Sequence, residues 1–502
     1  MGVILRQSLK TAIVRVVATA IGMVSMLFVY PLDHESYGTL QFIASCAFLI
    51  LPFTSMGGPN VVIKYFTEYK NKTKDERSLL PTILLLGGVL VTLGCFIFYL
   101  SSGVLLEFFA SSGEDQQIFS DNLSWILALV LVLFFVQTTN GFISNYGRIV
   151  VPGIIVDLGY KIFLPAIILL VYTAVVPKEW IAQSLVSFYL VAFCLLLIYA
   201  WSISAFTTRS DFSFFKSKSV RRSVLLYGLL SSLTSIGAMV AFRLDSIMIT
   251  KFLGAAENGL YFNVLVMASV IDMPSQAIYK IASPVISKNW SSNNLDQISK
   301  IYQKSSIVSQ VVGSLIFVGI WANLDYLISI SSKPEAFINA IWLFVVLGAA
   351  KLIDAVTGLN SHIIAYSEHY RFNVIFILVL ALVSIATNYY FIPRYGVLGA
   401  GMATCISLLL FNLMKLVFLK VKCDMHPFTA MTLVAGLVML AVAYLTSLIP
   451  VLENPIVGIL INSIFIVAVA VPSMYFLKVS PDINGLIDQV MSTGMTALRK
   501  KP

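Results

Sequence analysis

Long apolar runs separated by short polar segments occupy almost the whole chain. Fourteen of these runs are long enough to cross ~30 Å of hydrocarbon as helices that rise ~1.5 Å per residue. To within a few residues they are Arg6–Tyr30, Tyr37–Tyr65, Leu80–Ser101, Asn122–Asn145, Ile149–Val175, Ile181–Ile203, Ser223–Ile249, Asn258–Ile281, Ser305–Trp321, Ala336–Ser361, Arg371–Ile392, Gly396–Phe418, Phe428–Ile449 and Pro455–Leu477. The pattern therefore predicts an all-α polytopic membrane protein with about fourteen transmembrane helices.

Two pairs of segments repeat at nearly the same spacing. Gly38 in FVYPLDHESYGTLQF lies 221 positions before Gly259 in RLDSIMITKFLGAAENGLYFN. Asn140 in QTTNGFISNYGR lies 220 positions before Asn360 in TGLNSHIIAYSEHYR. Chance similarity between apolar helices is the alternative, but the agreement of the two offsets favours a duplicated chain. Tandem hydrophobic halves are a common plan for transporters, because a polar site at membrane depth can lie where the halves meet.

The spacing of the runs predicts two pseudo-symmetric lobes of six helices, followed by a final pair of helices. The expected boundaries are an N-lobe at 1–203, an amphipathic cytosolic linker at 204–222, a C-lobe at 223–419, two further helices at 420–480 and an amphipathic cytosolic tail at 481–502. The linker mixes four phenylalanines with five basic residues, a composition suited to an anionic lipid surface. Asn294–Lys304 and Ile483–Leu498 carry apolar residues at helical spacing and are expected to be interfacial helices, with solvated loops as the alternative.

The overall composition excludes a soluble protein. Of 502 residues, 58% are hydrophobic and 11% are charged, and the mean hydropathy is +0.90. Soluble domains could not bury so much apolar surface. The net charge of +9 does not indicate a nucleic-acid partner, since the lysines and arginines lie in the gaps between apolar runs. Counted over the short loops, these basic residues predict that both termini are cytosolic.

The sequence lacks the motifs of the common catalytic and metal sites. The cysteines number five, and Cys423 forms with His426 only a lone C-x-x-H, which lacks the other two ligands of a structural zinc site. No GxxxxGK[ST] loop, HExxH helix or glycine-rich dinucleotide turn occurs. These observations favour a transporter that does not use ATP, and they imply no cofactor and no metal.

Ionisable residues inside the predicted spans are the first candidates for a functional site, because a charge at membrane depth is costly. They are Lys10, Arg15, Asp157, Lys161, Arg243, Asp245, Asp272, Lys351 and Asp354. Arg15 lies about nine residues, or ~14 Å, inside the first helix with no acid within one turn, which favours a position in a cavity. Lys10 and Asp245 are expected to reach the lipid surfaces and to be mostly structural.

Four of these residues form pairs on one helix face. Asp157 precedes Lys161 by four residues, and Lys351 precedes Asp354 by three. Each pair could simply neutralise itself, which is the alternative to a functional role. Together with Asp272, the two aspartates of these pairs are the candidates for ion coupling.

Neutral polar residues cluster on the predicted fourth and tenth spans. Gln137 and Asn140 in the fourth span have counterparts in Thr357 and Asn360 of the tenth. Gly57–Asn60 also interrupt the second span, as Pro274–Gln276 interrupt the eighth. Broken helices at corresponding places of two halves indicate a central site, and close packing by small residues is the alternative.

Two further stretches resemble a known family. Arg243–Phe262 resembles the "DxIMxxxFLGxxxxGxY" motif of the polysaccharide transporter (O-antigen flippase) family, within the multidrug/oligosaccharidyl-lipid/polysaccharide exporter superfamily. Asn388–Ser407 resembles its "IPxYGxxGAAxAT" motif, with Ala400 and Gly401 where two alanines are usual. Together with the span count, the likeness covers the whole chain, although these motifs mark the fold and not the substrate.

The resemblance implies a function. Proteins of this family move undecaprenyl-diphosphate-linked oligosaccharides, such as O-antigen or capsule repeat units, from the cytosolic to the outer leaflet by alternating access. It implies a bacterial cytoplasmic (inner) membrane location. The partners would be the polyprenyl-diphosphate-linked glycan, membrane lipids, and polysaccharide polymerase or assembly proteins. An inside-negative potential would favour the outward movement of negative charge by about 2.3 kcal/mol per charge per 100 mV.

The candidate residues fit such a cargo, because cations can bind a diphosphate by charge-assisted hydrogen bonds and amides can bind sugar hydroxyls. The expected diphosphate ligands are Arg15, Arg243, Lys161 and Lys351, and the expected glycan ligands are Gln137, Asn140 and Asn360. A lipid II flippase and a cation-coupled multidrug exporter of the same fold remain alternatives. A polysaccharide polymerase or ligase is disfavoured, because such enzymes usually carry a large outward loop with Arg and His.

Overall fold

The computed structural model describes residues 2–103, 113–337, 340–485 and 487–489, and within them all side chains except those of residues 2–13, 15, 113–117, 241–242, 280 and 291. Regular structure in these residues is helical, without β-strands. The all-α fold expected from the apolar runs is therefore confirmed.

The described residues include nineteen α-helices. The first nine are α1 (Gly2–Phe28), α2 (His34–Ser55), α3 (Gly58–Lys64), α4 (Phe66–Thr73), α5 (Leu79–Leu100), α6 (Gly113–Ser144), α7 (Val150–Gly153), α8 (Gly159–Tyr172) and α9 (Ile181–Ser202). The others are α10 (Lys218–Leu253), α11 (Ala255–Ser269), α12 (Met273–Ser291), α13 (Leu295–Ala322), α14 (Leu324–Ser329), α15 (Ala340–Thr357), α16 (Asn360–Tyr366), α17 (Arg371–Cys423), α18 (Ala430–Ser447) and α19 (Pro455–Phe476).

The number of helices that could cross a membrane is close to the expected fourteen. In the described part of the chain, eleven are long and apolar enough, and twelve if the bent pair Ala255–Tyr279 and Ile281–Trp290 is one span. Helix α17 has 53 residues and is kinked at Gly396, whose φ is 59°, so it has the length of two spans. Helix α1 covers the first predicted span.

Contacts between residues divide the chain into two compact units. Unit 1 comprises Met1–Asn263 and Ser384–Val397, and unit 2 comprises Val264–Val383 and Leu398–Pro502. The lobe, linker and tail boundaries expected from the sequence stay predictions.

In unit 1, the second span is broken where the sequence predicts an interruption. Helix α2 ends at Ser55, and Met56 and Gly57 have φ values of 44° and 70° before α3 begins at Gly58. A side chain at Gly57 would also place its Cβ 2.7 Å from the carbonyl oxygen of Gly228 in α10. Glycine is required here both for the left-handed backbone and for the close approach of α10.

The repeated glycines of the sequence lie at one helix crossing in unit 1. A Cβ on Gly38 of α2 would overlap the carbonyl oxygen of Ala255 and lie 2.7 Å from the amide nitrogen of Gly259 in α11. A Cβ on Gly259 would in turn overlap the carbonyl oxygen of His34. Asn258 donates its Nδ2–H to the carbonyl oxygen of Gly38 at 2.9 Å. Residues 221 positions apart therefore pack backbone against backbone.

The linker at 204–222 is anchored to the helices of unit 1 by one of its phenylalanines. Phe214 is buried in a cluster with Tyr65 and Tyr69, and the hydroxyl of Tyr69 donates to the backbone carbonyl of Asp211 at 2.9 Å. Phe212 remains exposed. The linker therefore holds one aromatic ring in the protein core.

The interfacial helix expected at Asn294–Lys304 is wrong. These residues form the beginning of α13, which continues without a break from Leu295 to Ala322. Ile298 and Tyr302 are fully buried in a cluster with Ile363 of α16. The apolar side chains that suggested contact with lipid thus pack against protein. Most of the other expected interfacial helix, Ile483–Leu498, lies outside the described residues.

Candidate functional site

A small polar pocket lies in unit 1 behind the broken second span. Its volume is about 160 Å³, and its walls come from α2, α3, α6 and α10. Gln137, a predicted glycan ligand, lines it together with Asn60 and Ser232. Asn60 donates to the hydroxyl of Ser231 at 2.6 Å. The buried hydroxyl of Ser232 has no hydrogen-bond partner among the described residues, so it is available to a ligand.

Arg243 lies beside the same pocket. Its guanidinium carbon is 4.8 Å from the ring centroid of Phe48, which lines the pocket together with Gln137. Within the described part of the chain Arg243 forms no ion pair. The phenols of Tyr37 and Tyr160 lie close enough to interact electrostatically with it. A cation held against aromatic rings without a carboxylate keeps its charge available for an anion.

The other predicted groups of unit 1 lie on neighbouring helices. Lys161 of α8 packs against α1, since a Cβ on Gly22 would lie 3.7 Å from its Nζ. Among the described residues Lys161 makes no ion pair, so it does not neutralise Asp157 directly, which was the alternative to a functional role. Asp157 lies in a π-helical turn, Ile154–Leu158, and is exposed. The side chain of Arg15 lies outside the described residues.

Asn140 lies on α6 one turn beyond Gln137 and is partly buried. Two adjacent hydroxyls on that helix, of Thr138 and Thr139, are fully buried and have no hydrogen-bond partner among the described residues. This turn of α6 is therefore rich in polar groups that the fold itself leaves unsatisfied.

Unit 2 contains a buried chain of hydrogen bonds that ends on a carboxylate and an ammonium. Asn412 donates to Oδ1 of Asp354 at 3.0 Å and accepts from Nδ2 of Asn360 at 2.9 Å. Oδ1 of Asn360 accepts from the backbone N–H of Ser361 at 2.6 Å. Nζ of Lys415 donates to the hydroxyl of Ser361 at 2.9 Å. Two predicted residues, Asp354 and Asn360, thus belong to one network.

Lys415 is the most deeply buried of the lysines described, and it was not among the residues predicted from the sequence. Only 1% of its surface is exposed, and its Nζ lies 3.6 Å from the ring centroid of Phe411. The available signal was its place inside the apolar run Gly396–Phe418. Asn412 lies one turn earlier on the same run and was missed for lack of any charge.

Asp272 and Lys351 lie near the carboxylate of Asp354 in unit 2. Oδ2 of Asp272 accepts from Nε2 of Gln276 at 3.0 Å, whereas its buried Oδ1 has no hydrogen-bond partner among the described residues. Asp354 and Lys351 are close enough to Asp272 for electrostatic interaction. No ion pair joins Lys351 to Asp354 in the described structure, so this helix-face pair does not neutralise itself directly.

The sequence suggested that Asp245 reaches a lipid surface. This is wrong, because α10 turns the side chain inward. Its exposed fraction is 6%. Its Oδ2 accepts from the hydroxyl of Tyr261 and its Oδ1 from Nδ2 of Asn388, both at 2.7 Å. The two motifs that suggested the family, around Arg243 and around Asn388, therefore meet at this carboxylate in unit 1.

The two units thus offer different chemistry. Unit 1 presents an arginine beside a pocket lined by the unsatisfied hydroxyl of Ser232 and the amide of Gln137, which suits an anion carrying polar substituents. Unit 2 presents one carboxylate, Asp354, and a buried ammonium, Lys415, in one hydrogen-bonded network, with the carboxylate of Asp272 nearby, which suits a cation or a proton. Among the described residues no three His, Cys, Asp or Glu side chains cluster as metal ligands do.

Apolar helices of spanning length, with ionisable groups buried among them, define a multi-pass membrane protein. The chain belongs to the family of polysaccharide biosynthesis proteins, whose family model matches residues 4–290. The family expected from the sequence motifs is therefore confirmed.

One relative and two solved structures show what the chain is similar to. A probable low-salt glycan biosynthesis flippase, Agl15 of Haloferax volcanii, is 24% identical over 208 residues, which are 41% of this chain and 43% of that protein. The alignment thus spans less than half of the relative. The lipid II flippase MurJ superposes with a TM-score of 0.73 at 12% identity, over 94% of this chain and 99% of its own. A multidrug resistance MATE transporter superposes with a TM-score of 0.63 at 13% identity, over 81% and 94%. These likenesses establish the fold.

Proposed function

We propose that this protein is a flippase that carries a polyprenyl-diphosphate-linked oligosaccharide across the membrane. Membership of the polysaccharide biosynthesis family supports a role in glycan assembly, and the relative Agl15 is itself described as a glycan biosynthesis flippase. A diphosphate and a glycan cannot cross hydrocarbon unaided, because transfer of charges and hydroxyls out of water is costly. The protein must therefore supply a polar path at membrane depth.

The observation that carries the proposal is the position of Arg243. Its guanidinium lies over Phe48 at the edge of the polar pocket and has no carboxylate partner among the described residues. Such an arginine offers two parallel N–H donors to a phosphate oxygen pair. In the proposal, Arg15, Lys161 and Lys351 are further phosphate-binding cations.

The glycan is bound in this proposal by amides and hydroxyls. Gln137 and Ser232 line the pocket beside Arg243, and Asn140 lies one turn from Gln137. The free hydroxyl of Ser232 supports this role, since a sugar hydroxyl would satisfy it. In the proposal Asn360 is also a glycan ligand, through the N–H of its side-chain amide that does not donate to Asn412.

Ion coupling is assigned in the proposal to Asp157, Asp272 and Asp354. The buried Oδ1 of Asp272, which lacks a described partner, supports binding of a proton or a small cation there. Asp354 is linked to Lys415 through the hydrogen-bond network, so a change in charge at one end alters the free energy of charge at the other. The membrane potential is the alternative energy source, at about 2.3 kcal/mol per charge per 100 mV.

Reconstituted vesicles test the proposal. Purified protein is inserted into liposomes with a fluorescent undecaprenyl-diphosphate oligosaccharide, and the label that becomes accessible to an impermeant quencher is followed with time. We expect Arg243→Ala to reduce the rate at least tenfold and Arg243→Lys to retain part of it, because lysine keeps the charge but not the paired donors. Arg77→Ala is the matched control, since Arg77 is exposed and already paired with Asp75 at 2.9 Å.

Four outcomes would contradict parts of the proposal. Equal rates for wild type and Arg243→Ala would remove Arg243 from the binding site. Faster movement of lipid II than of other lipid-linked oligosaccharides would favour the lipid II flippase. Uptake of organic cations driven by an ion gradient, with no lipid movement, would favour a multidrug exporter. Reversal of the membrane potential without effect on the net rate would exclude the potential as the driving force.

The location and partners of the protein are part of the same proposal. We place it in a bacterial cytoplasmic membrane with both termini in the cytosol, on the distribution of Lys and Arg between the apolar runs. Delivery of glycan to the outer leaflet requires a polymerase or assembly protein that consumes it there. Impermeant labelling of single cysteines introduced at Lys74 and Lys178 tests the orientation, because the two residues are expected on opposite sides.

A further inference from the structure

A second cavity of unit 1 adjoins the same helix break, since Ser55, Met56 and Gly58 line it. It is a groove of about 420 Å³ whose walls come from α3, α5 and α10. The walls are almost entirely apolar: Met56, Val61, Ile83, Leu86, Val89, Leu90, Phe215, Val224 and Leu225. Leu86, Val89 and Leu225 are also exposed on the outer surface of these helices. The groove is thus shaped from aliphatic side chains and open at the protein surface.

A basic cluster borders one end of this groove. Arg221 lines the groove itself, and Arg222 follows it at the beginning of α10. Lys216 and Lys218 precede them, and all four side chains are exposed. None of the four forms an ion pair within the described part of the chain. The Lys and Arg count predicts that this end faces the cytosolic leaflet.

We propose that this groove is a binding site for an anionic phospholipid of the bilayer, with an acyl chain along α5 and α10 and the phosphate at Arg221 and Arg222. An apolar channel that ends at a basic cluster matches the two chemical parts of such a lipid. Basic residues near an anionic leaflet attract acidic headgroups, and basic pockets between helices on the cytosolic side select them. The proposal does not depend on the cargo of the protein.

The lipid groove and the polar pocket are different cavities at the helix break. Ser55 contributes to both cavities, and their other lining residues are different. A Cβ on Gly228 would overlap the carbonyl oxygen of Met56, so the backbone of α10 is in direct contact with the break. Gln137 lines only the polar pocket and Arg221 only the groove. This favours a resident bilayer lipid over the transported one.

The test is native mass spectrometry of the full-length protein purified in detergent, titrated with phosphatidylglycerol or with phosphatidylcholine of the same acyl chains. We expect the wild type to bind phosphatidylglycerol more tightly. Arg221→Gln combined with Arg222→Gln should weaken that binding about tenfold or more, since each basic residue near the headgroup contributes. Lys74→Gln combined with Arg148→Gln removes the same charge from exposed positions that do not line the groove and should leave binding unchanged.

A second variant tests the acyl chain. Leu225→Trp fills the groove while both arginines remain, and it should also weaken binding of phosphatidylglycerol, provided that the variant unfolds at the wild-type temperature. Unchanged binding in Leu225→Trp would overturn the assignment of the chain to the groove. Equal losses of phosphatidylglycerol binding in the Arg221/Arg222 variant and in the Lys74/Arg148 control would show that only net charge matters. That result would overturn the headgroup site. Displacement of phosphatidylglycerol by an equal concentration of undecaprenyl diphosphate would show that the groove belongs to the cargo.

Discussion

The crossing of α2 and α11 provides the sharpest test of the packing in unit 1. In Gly38→Ala the new methyl group would overlap the carbonyl oxygen of Ala255 and lie 2.7 Å from the amide nitrogen of Gly259. Both are backbone atoms, which cannot rotate away, so the helices must separate. Overpacking of this kind costs about 1–3 kcal/mol.

Two smaller effects act in opposite directions. Separation of the helices lengthens the 2.9 Å hydrogen bond from Asn258 to the carbonyl of Gly38, at a cost of about 1 kcal/mol. Replacement of glycine by alanine inside a helix gains about 0.5–1 kcal/mol. The two nearly cancel, so the expected net destabilisation is about 1–3 kcal/mol. The measurement is the apparent melting temperature of the detergent-purified protein at a fixed scan rate.

Gly319→Ala is the matched control, because no atom lies within 4 Å of a Cβ built at that position of α13. It should leave the melting temperature unchanged or raise it slightly. Gly259→Ala should behave like Gly38→Ala, and the double variant should lose less than the sum of the two, because both act on one contact. A Gly38→Ala protein as stable as Gly319→Ala would refute the close backbone packing.

Further predictions concern buried and loop charges. Lys415→Met should abolish transport in the vesicle assay and leave the melting temperature near that of the wild type. Burial of an ammonium is costly, and its removal costs one hydrogen bond to the hydroxyl of Ser361. Normal transport would show that Lys415 is structural. Asp245→Ala should destabilise by about 2 kcal/mol, because it removes two buried hydrogen bonds, from the hydroxyl of Tyr261 and from the amide of Asn388. A melting temperature unchanged from wild type would contradict this. Hydrogen bonds from Ser213 lower the pKa of Asp211. The carboxylate's contribution to linker stability is therefore complete above about pH 4 and is lost as the pH falls through the lowered pKa. Hydrogen exchange of the linker as a function of pH measures this, and Asp211→Asn should remove the pH dependence.

The pattern of apolar runs was sufficient to predict most of the fold. Length and composition define helices that must satisfy their own backbone hydrogen bonds in lipid, so the spans follow from the sequence with little ambiguity. The break at Gly57 was also predicted, since glycine beside proline disfavours a continuous helix. The interfacial helix at Asn294–Lys304 was wrong, because helical periodicity does not distinguish burial against protein from burial in lipid.

The candidate site was predicted in part. The rule that charges inside spans are functional identified Arg243, and the structure places it beside a polar pocket with Gln137. The same rule identified Asp354 but not the rest of its network, since Asn412 carries no charge and Lys415, although it lies within the run Gly396–Phe418, was not among the predicted residues. Only packing of α15 against α17 brings these side chains together.

The sequence alone determined that this is an all-α membrane protein with many spanning helices, because hydrophobic length is a local property. The tertiary structure decided that Gly38 meets Gly259, that Asp245 turns inward and that Lys415 is buried. These outcomes depend on the rotation of each helix about its axis and on its neighbours, which close packing determines over long distances in sequence.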